Sequence, residues 1–150
     1  MPTVFRFRYQ RILDVKQKQQ KALEIELGRV DRLTLQQQAL LRSWERTRQG
    51  TLDEMRQART QGDLADNAQC AAYVRHVRSR MEQCRAALAD LRVKRERVRQ
   101  DLQRAMQSRQ VIEKYRDRLR AQFLAELEKA EEAVAEVHTL RKFSRAEGML

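Results

Sequence analysis

Alternating steps of four and three residues from Tyr9 land on Tyr9, Leu13, Lys16, Gln20, Leu23, Leu27, Val30, Thr34, Gln37, Leu41, Trp44, Arg48, Thr51, Met55 and Ala58, of which nine in fifteen are apolar. The same steps from Cys70 land on Cys70, Val74, Val77, Met81, Cys84, Leu88, Leu91, Arg95, Val98, Leu102, Ala105, Arg109, Ile112, Arg116, Leu119, Phe123, Glu126, Ala130, Ala133, Val137 and Leu140, seventeen in twenty-one apolar. A mean spacing of 3.5 residues returns each apolar side chain to one narrow stripe of a helix, which is a coiled-coil seam. The pattern predicts a first helix over about 5–60 and a second over about 69–143. Between them "TQGDLADNAQ" offers backbone freedom at Gly62 and capping oxygens at Asp63, Asp66 and Asn67, so a hinge is expected over about 61–68. A narrow stripe must be covered, and after a short connection the nearest cover is the other helix running back. The expected fold is all-α: residues 1–150 as a single elongated two-helix antiparallel coiled-coil hairpin. Gly50 favours at most a local bend, because Thr51, Leu52 and Met55 continue the pattern.

The stretch "FRFRYQRILDVK" breaks the rule. Phe5, Phe7 and Tyr9 alternate with arginines, as in a strand or an extended arm, before Ile12, Leu13 and Lys16 take up helical spacing. With a turn near 60–65, antiparallel pairing sets Phe5 opposite roughly residues 116–125, which leaves about 27–40 Å of the second helix without a partner in its own chain. If the helix begins at residue 5, Phe5 and Tyr9 face Ile112, Leu119 or Phe123, and Phe7 is out of phase and points outward. Ala130, Ala133, Val137 and Leu140 carry the seam into the overhang, and an uncovered seam signals a partner. The alternative is that the aromatics only staple the helix ends while the tail frays or pairs with another copy.

Composition supports long helices. One proline, at position 2, and four glycines leave little material for turns, and 35% charged residues imply a small buried volume and no ligand-sized cavity. Cys70 and Cys84 lie about 21 Å apart on one helix, so they are read as reduced, and His76 and His138 make no zinc-type cluster with them. No cofactor or metal is implied. No apolar stretch reaches the length of a membrane span, and "MPTVFRFRYQR" carries charge where a signal peptide needs an apolar run, so a cytoplasmic protein without direct membrane insertion is expected. There is no glycine-rich phosphate loop and no Ser/His/Asp grouping, which points away from an enzyme.

The net charge of +11, with 25 arginines among 32 basic residues, raises a nucleic-acid reading. Against it, the basic residues are spread round the helix, and among the fifteen of residues 75–120 Tyr115 is the only aromatic to stack on bases. A solvated surface, or one facing an acidic protein, fits the same charge.

Taken together, "FRFRYQRILDVKQKQQ", the Gly62 hinge followed by "AAYVRHVRSRM", and the acidic-alanine tail "ELEKAEEAVAEV" resemble the FliJ family, the small coiled-coil component of the bacterial flagellar protein-export apparatus. The resemblance implies a non-enzymatic stalk inserted in the ring of the flagellar export ATPase, promoting its assembly. It also implies contact with the cytoplasmic domain of the export-gate protein FlhA, and, as further partners, the ATPase regulator and export chaperones. Carried over, the gate-binding face comprises Gln37, Leu41, Trp44 and Arg48 with Tyr73, Val77, Arg80 and Cys84, where Arg48, Arg80 and Cys84 depart from the family's usual residue types. Leu41, Trp44, Tyr73 and Val77 serve equally to close the seam beside the hinge. The ring surface is assigned to Arg6, Phe7 and Arg8 with Ala130, Ala133, Val137 and Leu140. Two other readings fit the pattern: the equivalent stalk of a virulence-type secretion apparatus, and a basic nucleic-acid-binding arm. The expected location is peripheral, at the cytoplasmic side of the membrane-bound apparatus.

Overall fold

The computed structural model describes residues 3–148, and these form two helices with no strand among them: α1, Gln10–Gln61, and α2, Leu64–Gly148. The fold is the all-α two-helix hairpin that the spacing predicts. Both helices are longer at the turn than expected, and α1 runs unbroken through Gly50.

The turn is shorter than the expected 61–68 because two residues end one helix and begin the next. Gly62 adopts φ 74°, the left-handed conformation that an L side chain resists. The Gly62 N–H donates to the Arg59 carbonyl at 3.2 Å and the Asp63 N–H to the Ala58 carbonyl at 2.9 Å, the paired bonds of a Schellman cap. Asp63 then turns cap for α2: its Oδ1 accepts from the Asp66 N–H at 3.0 Å, and its carbonyl accepts from the Asn67 N–H at 3.2 Å. Asp66 and Asn67, expected in the hinge, are therefore in the first turn of α2.

Contacts divide the chain into two compact units: one joins the chain up to Gln20 with the chain from Arg104 onward, and the other is Lys21–Gln103. Burial gives a reason for the division. Among the described residues, every buried one lies on one of the two stepped series, and all but Leu13 belong to Lys21–Gln103: Val30, Thr51, Ala58, Cys70, Val74, Val77, Met81, Cys84 and Val98.

Within Lys21–Gln103, the Cys70 thiol points to Glu54 at 3.9 Å, Trp44 meets His76 at 6.2 Å, Arg95 binds Asp31 at 2.8 Å and Lys94 binds Glu26 at 3.3 Å. From Glu54 through Trp44 to Asp31 the partners on α1 fall in number as Cys70, His76 and Arg95 on α2 rise, the order that opposed helices give. Arg95 occupies a seam position but is exposed, its guanidinium drawn out to the Asp31 carboxylate. Thr51 is buried in the seam because its hydroxyl donates to the Thr47 carbonyl at 2.9 Å. Glu26 accepts from Arg29 at 2.8 Å as well as pairing with Lys94, and these hydrogen bonds hold its carboxyl at about 2, below the ordinary 4.5.

In the other unit the seam of α2 is interrupted by Arg109 and Arg116, and the arm Thr3–Tyr9, which is not helical, supplies what the seam lacks. Phe5 packs on Phe123 with ring centroids 5.8 Å apart, while Phe7 lies 6.2 Å from Tyr115 and 5.9 Å from Tyr9. Phe7 is thus half-buried rather than outward-facing, and Tyr9, expected against Ile112, Leu119 or Phe123, lies instead 6.1 Å from Tyr115 and is 38% exposed. The reason is periodicity: in extended chain, residues two apart point the same way, so Phe5 and Phe7 both turn toward α2. Beside the arm, Val4, Phe5, Leu119 and Phe123 line an open groove of about 680 Å³, where composition predicts no ligand-sized space. Past Ala130 the stripe is uncovered, and residues 131–148 are exposed throughout.

Two seam valines test this division, Val77 at 0% exposure and Val137 at 47%. Val77→Ala is expected to lower stability by about 2 kcal/mol and Val137→Ala by less than about 0.5 kcal/mol, read by urea denaturation of dilute protein followed by circular dichroism. For pH, a depressed folded-state value means that Glu26 stabilises the fold fully above 4.5, and that this contribution is lost as pH falls toward and through about 2. Glu26→Gln is expected to flatten the fall in stability between those values, measured by the same denaturation at stepped pH.

Candidate functional site

Two surfaces combine exposure with residues that suit protein contact. The first lies in Lys21–Gln103, where Tyr73 and Arg80 on α2 are exposed, Gln37, Leu41, Trp44 and Arg48 on α1 are half-buried, and Val77 and Cys84 are buried. Gln37, Leu40, Trp44, Arg80, Gln83, Cys84 and Ala87 line a shallow groove of about 260 Å³. Four of the eight residues assigned here from sequence thus border one depression. Val77, at 0% exposure, presents no side chain to a partner, and Cys84, at 4%, adds only a small part of the groove lining.

Sequence reasoning missed His76, an exposed residue that joins the two aromatics. Its ring stacks on Tyr73 at 6.1 Å with 27° between planes, and meets the Trp44 edge at 6.2 Å and 87°. The signal was present, since Tyr73 and His76 are three apart and so share a helix face. Such a Trp–His–Tyr cluster, with one face open and Arg80 beside the groove, suits insertion of an apolar side chain flanked by a carboxylate. At the neighbouring Arg48, the Nε is buried with no hydrogen-bond partner among the described residues. Cys70 lies below the hinge end of this surface. Burial, with the Asp66 and Glu54 carboxylates adding to it, pushes its thiol up, which keeps it protonated and poorly nucleophilic.

The second surface belongs to the other unit. Arg6 and Arg8 are exposed, with the Arg8 guanidinium 5.7 Å from the Tyr9 ring centre. On α2, Ala130 is half-buried, and Ala133, Val137 and Leu140 are exposed, Leu140 at 69%. Arg6 lines one groove with Glu126, a single turn before Ala130, whereas Phe7 lies farther back along α2. Phe7 sits against Tyr115, and from Tyr115 to Ala130 the helix rises about 22 Å. Val134 and Phe143, outside the stepped series, are also exposed, and they widen the apolar face of the tail. They follow Ala130 by four and Leu140 by three residues, so the helical period could have found them.

Charge along this tail reverses. Residues 126–136 carry Glu126, Glu128, Glu131, Glu132 and Glu136 against Lys129, whereas residues 137–148 carry Arg141, Lys142 and Arg145 against Glu147. Among the described residues no three His, Cys, Asp or Glu side chains gather as a metal site, and no helix is long and apolar enough to cross a membrane.

Comparison with known proteins agrees with this architecture. The family model described as Flagellar FliJ protein matches residues 5–148, nearly the whole chain and both helices. No curated protein and no solved structure matches it. With the seam, the aromatic arm and the hinge all inside the matched region, the chain belongs to the FliJ family and is a coiled-coil protein related to flagellar export.

Proposed function

We propose that the protein is the non-enzymatic stalk and adaptor of a bacterial flagellar type III export apparatus, acting at the cytoplasmic side of the membrane. In this reading the end of α2 enters the ring of the export ATPase, and the aromatic cluster near the hinge docks on the cytoplasmic domain of the export-gate protein FlhA. The ATPase regulator and export chaperones are further partners. The observation that carries it is the family match over residues 5–148, together with a seam that is covered as far as Ala130 and open beyond it. A helix with an uncovered apolar stripe suits insertion among other subunits, because burial of that stripe is gained only on assembly.

The mechanism follows from mass action. A single stalk that touches several subunits of a ring stabilises the closed ring and not the free subunit, so turnover rises most where the ATPase alone is largely unassembled. The aromatic surface is in Lys21–Gln103 and the open stripe is in the other unit, so the two partners are assigned separate residues. Arg6 and Arg8 add positive charge for acidic groups on the ring, while Phe7 acts indirectly by anchoring the arm that carries them.

The two assignments are tested by separating them. Truncation after Ala130 removes only exposed described residues, so the shortened chain is expected to stay helical, to stop stimulating a dilute export ATPase, and to bind the gate domain unchanged. Tyr73→Ala is expected to do the reverse, weakening gate binding by at least about fivefold, or about 1 kcal/mol, with ATPase stimulation intact. Undiminished stimulation by the truncated chain, or undiminished gate binding by a folded Tyr73→Ala variant, overturns the corresponding assignment.

A further inference from the structure

We propose that the end of α2, residues 131–146, is a self-association surface through which two free copies of this chain pair with their tails antiparallel. Two independent features of the tail select a second copy as the occupant.

The first is the apolar face. Val134, Val137, Leu140 and Phe143 are exposed by 58%, 47%, 69% and 68%, and on a helix they advance in steps of about 60° to cover one broad side. Ala133 lies between them, small enough to let a second backbone approach. In this respect the tail differs from the rest of α2, whose seam is covered within the chain.

The second is the order of charge. Over residues 75–120 the chain carries fifteen basic residues against six acidic, so a partner matched to that stretch would be acidic. Such a partner is repelled at residues 126–136, where the balance is five acids to one base. A complement to the tail must carry basic charge opposite 126–136 and acidic charge opposite 141–145. The tail itself, reversed, has this order. In an antiparallel pair centred between residues 138 and 139, Glu132 and Glu136 of each copy lie opposite Arg145 and Arg141 of the other, with Glu131 and Lys142 flanking them, whereas a parallel pair sets like against like.

The overlap is about 24 Å, so the pairing is weak, with a dissociation constant on the order of micromolar. Such pairing goes beyond the stalk reading and does not depend on it. If both hold, free copies cover the stripe that the ring requires, and ring entry competes with self-pairing.

Sedimentation equilibrium of the full-length chain, without ATPase, is the test. Two charge-reversed variants are used: Arg141→Glu, Lys142→Glu, Arg145→Glu together, and Glu131→Lys, Glu132→Lys, Glu136→Lys together. All six sites are exposed, and equal thermal midpoints at high dilution verify that folding is unaltered. The wild-type chain is expected to be a monomer–dimer mixture whose affinity falls with salt. Each variant alone is expected to lose at least tenfold in self-affinity, and an equimolar mixture of the two to recover a heterodimer. Three results overturn the proposal: a wild-type monomer at all concentrations up to about 100 μM, a dimer unchanged in both variants, or variants that fail to pair with one another. Because no ATPase is present, these outcomes leave the stalk reading standing or falling on its own experiment.

Discussion

A helix in a two-helix pair can bury only one stripe, and that stripe is two or three side chains wide at most. The limit governs the whole molecule. In Lys21–Gln103 the buried set is a single file of residues, Val30 and Ala58 on α1 and Cys70 to Val98 on α2, with no second layer to share the load. A seam of this kind tolerates a polar residue only when its polar atoms are satisfied locally, as Thr51 is by Thr47, or can leave for water, as Arg95 does to reach Asp31. It also leaves most of each helix facing solvent, and most of the charged side chains are there.

The same limit explains the aromatic arm. Where Arg109 and Arg116 interrupt the seam of α2, apolar surface is sparse, and Leu13 on α1 is the one buried residue of that unit among those described. Four large rings, Phe5, Phe7, Tyr115 and Phe123, bring more area per residue than any aliphatic chain and lie at contact distances of 5.8 and 6.2 Å. An extended arm suits this task because it delivers two side chains to one face in a span where a helix delivers one. The Gly62–Asp63 turn is economical for a related reason: one left-handed glycine and one capping carboxylate satisfy the orphan groups of both helix ends.

The periodicity of the sequence made the helices, their seam residues and the approximate turn legible, because 3.5-residue spacing constrains which residues can be buried whatever the partner. The start of α1 was less legible. Helical and extended readings of "FRFRYQ" share Tyr9, and only the meeting of Phe7 with Tyr115 separates them. The length of the hinge was also hidden, since Asp63, Asp66 and Asn67 are equally good caps by residue type and geometry alone selects Asp63. At the candidate site, the eight residues assigned near the hinge fall into two physical groups that residue type does not distinguish: Val77 and Cys84 in the seam, Tyr73 and Arg80 on the outside. His76 was passed over because a lone histidine carries no chemistry by itself; its role comes from lying between Trp44 and Tyr73.

The account rests on one boundary, the point near Ala130 where the seam passes from covered to open, and on the idea that the open part is for assembly. Hydrogen–deuterium exchange along α2 addresses both in one measurement, made on dilute chain with and without the export ATPase. Slow exchange from Cys70 to Val98, fast exchange beyond Ala130, and slowing of residues 131–143 when the ring is added are the result that the account predicts. Uniform protection along α2 in the free chain, or a tail that exchanges as fast with the ring as without it, would contradict it.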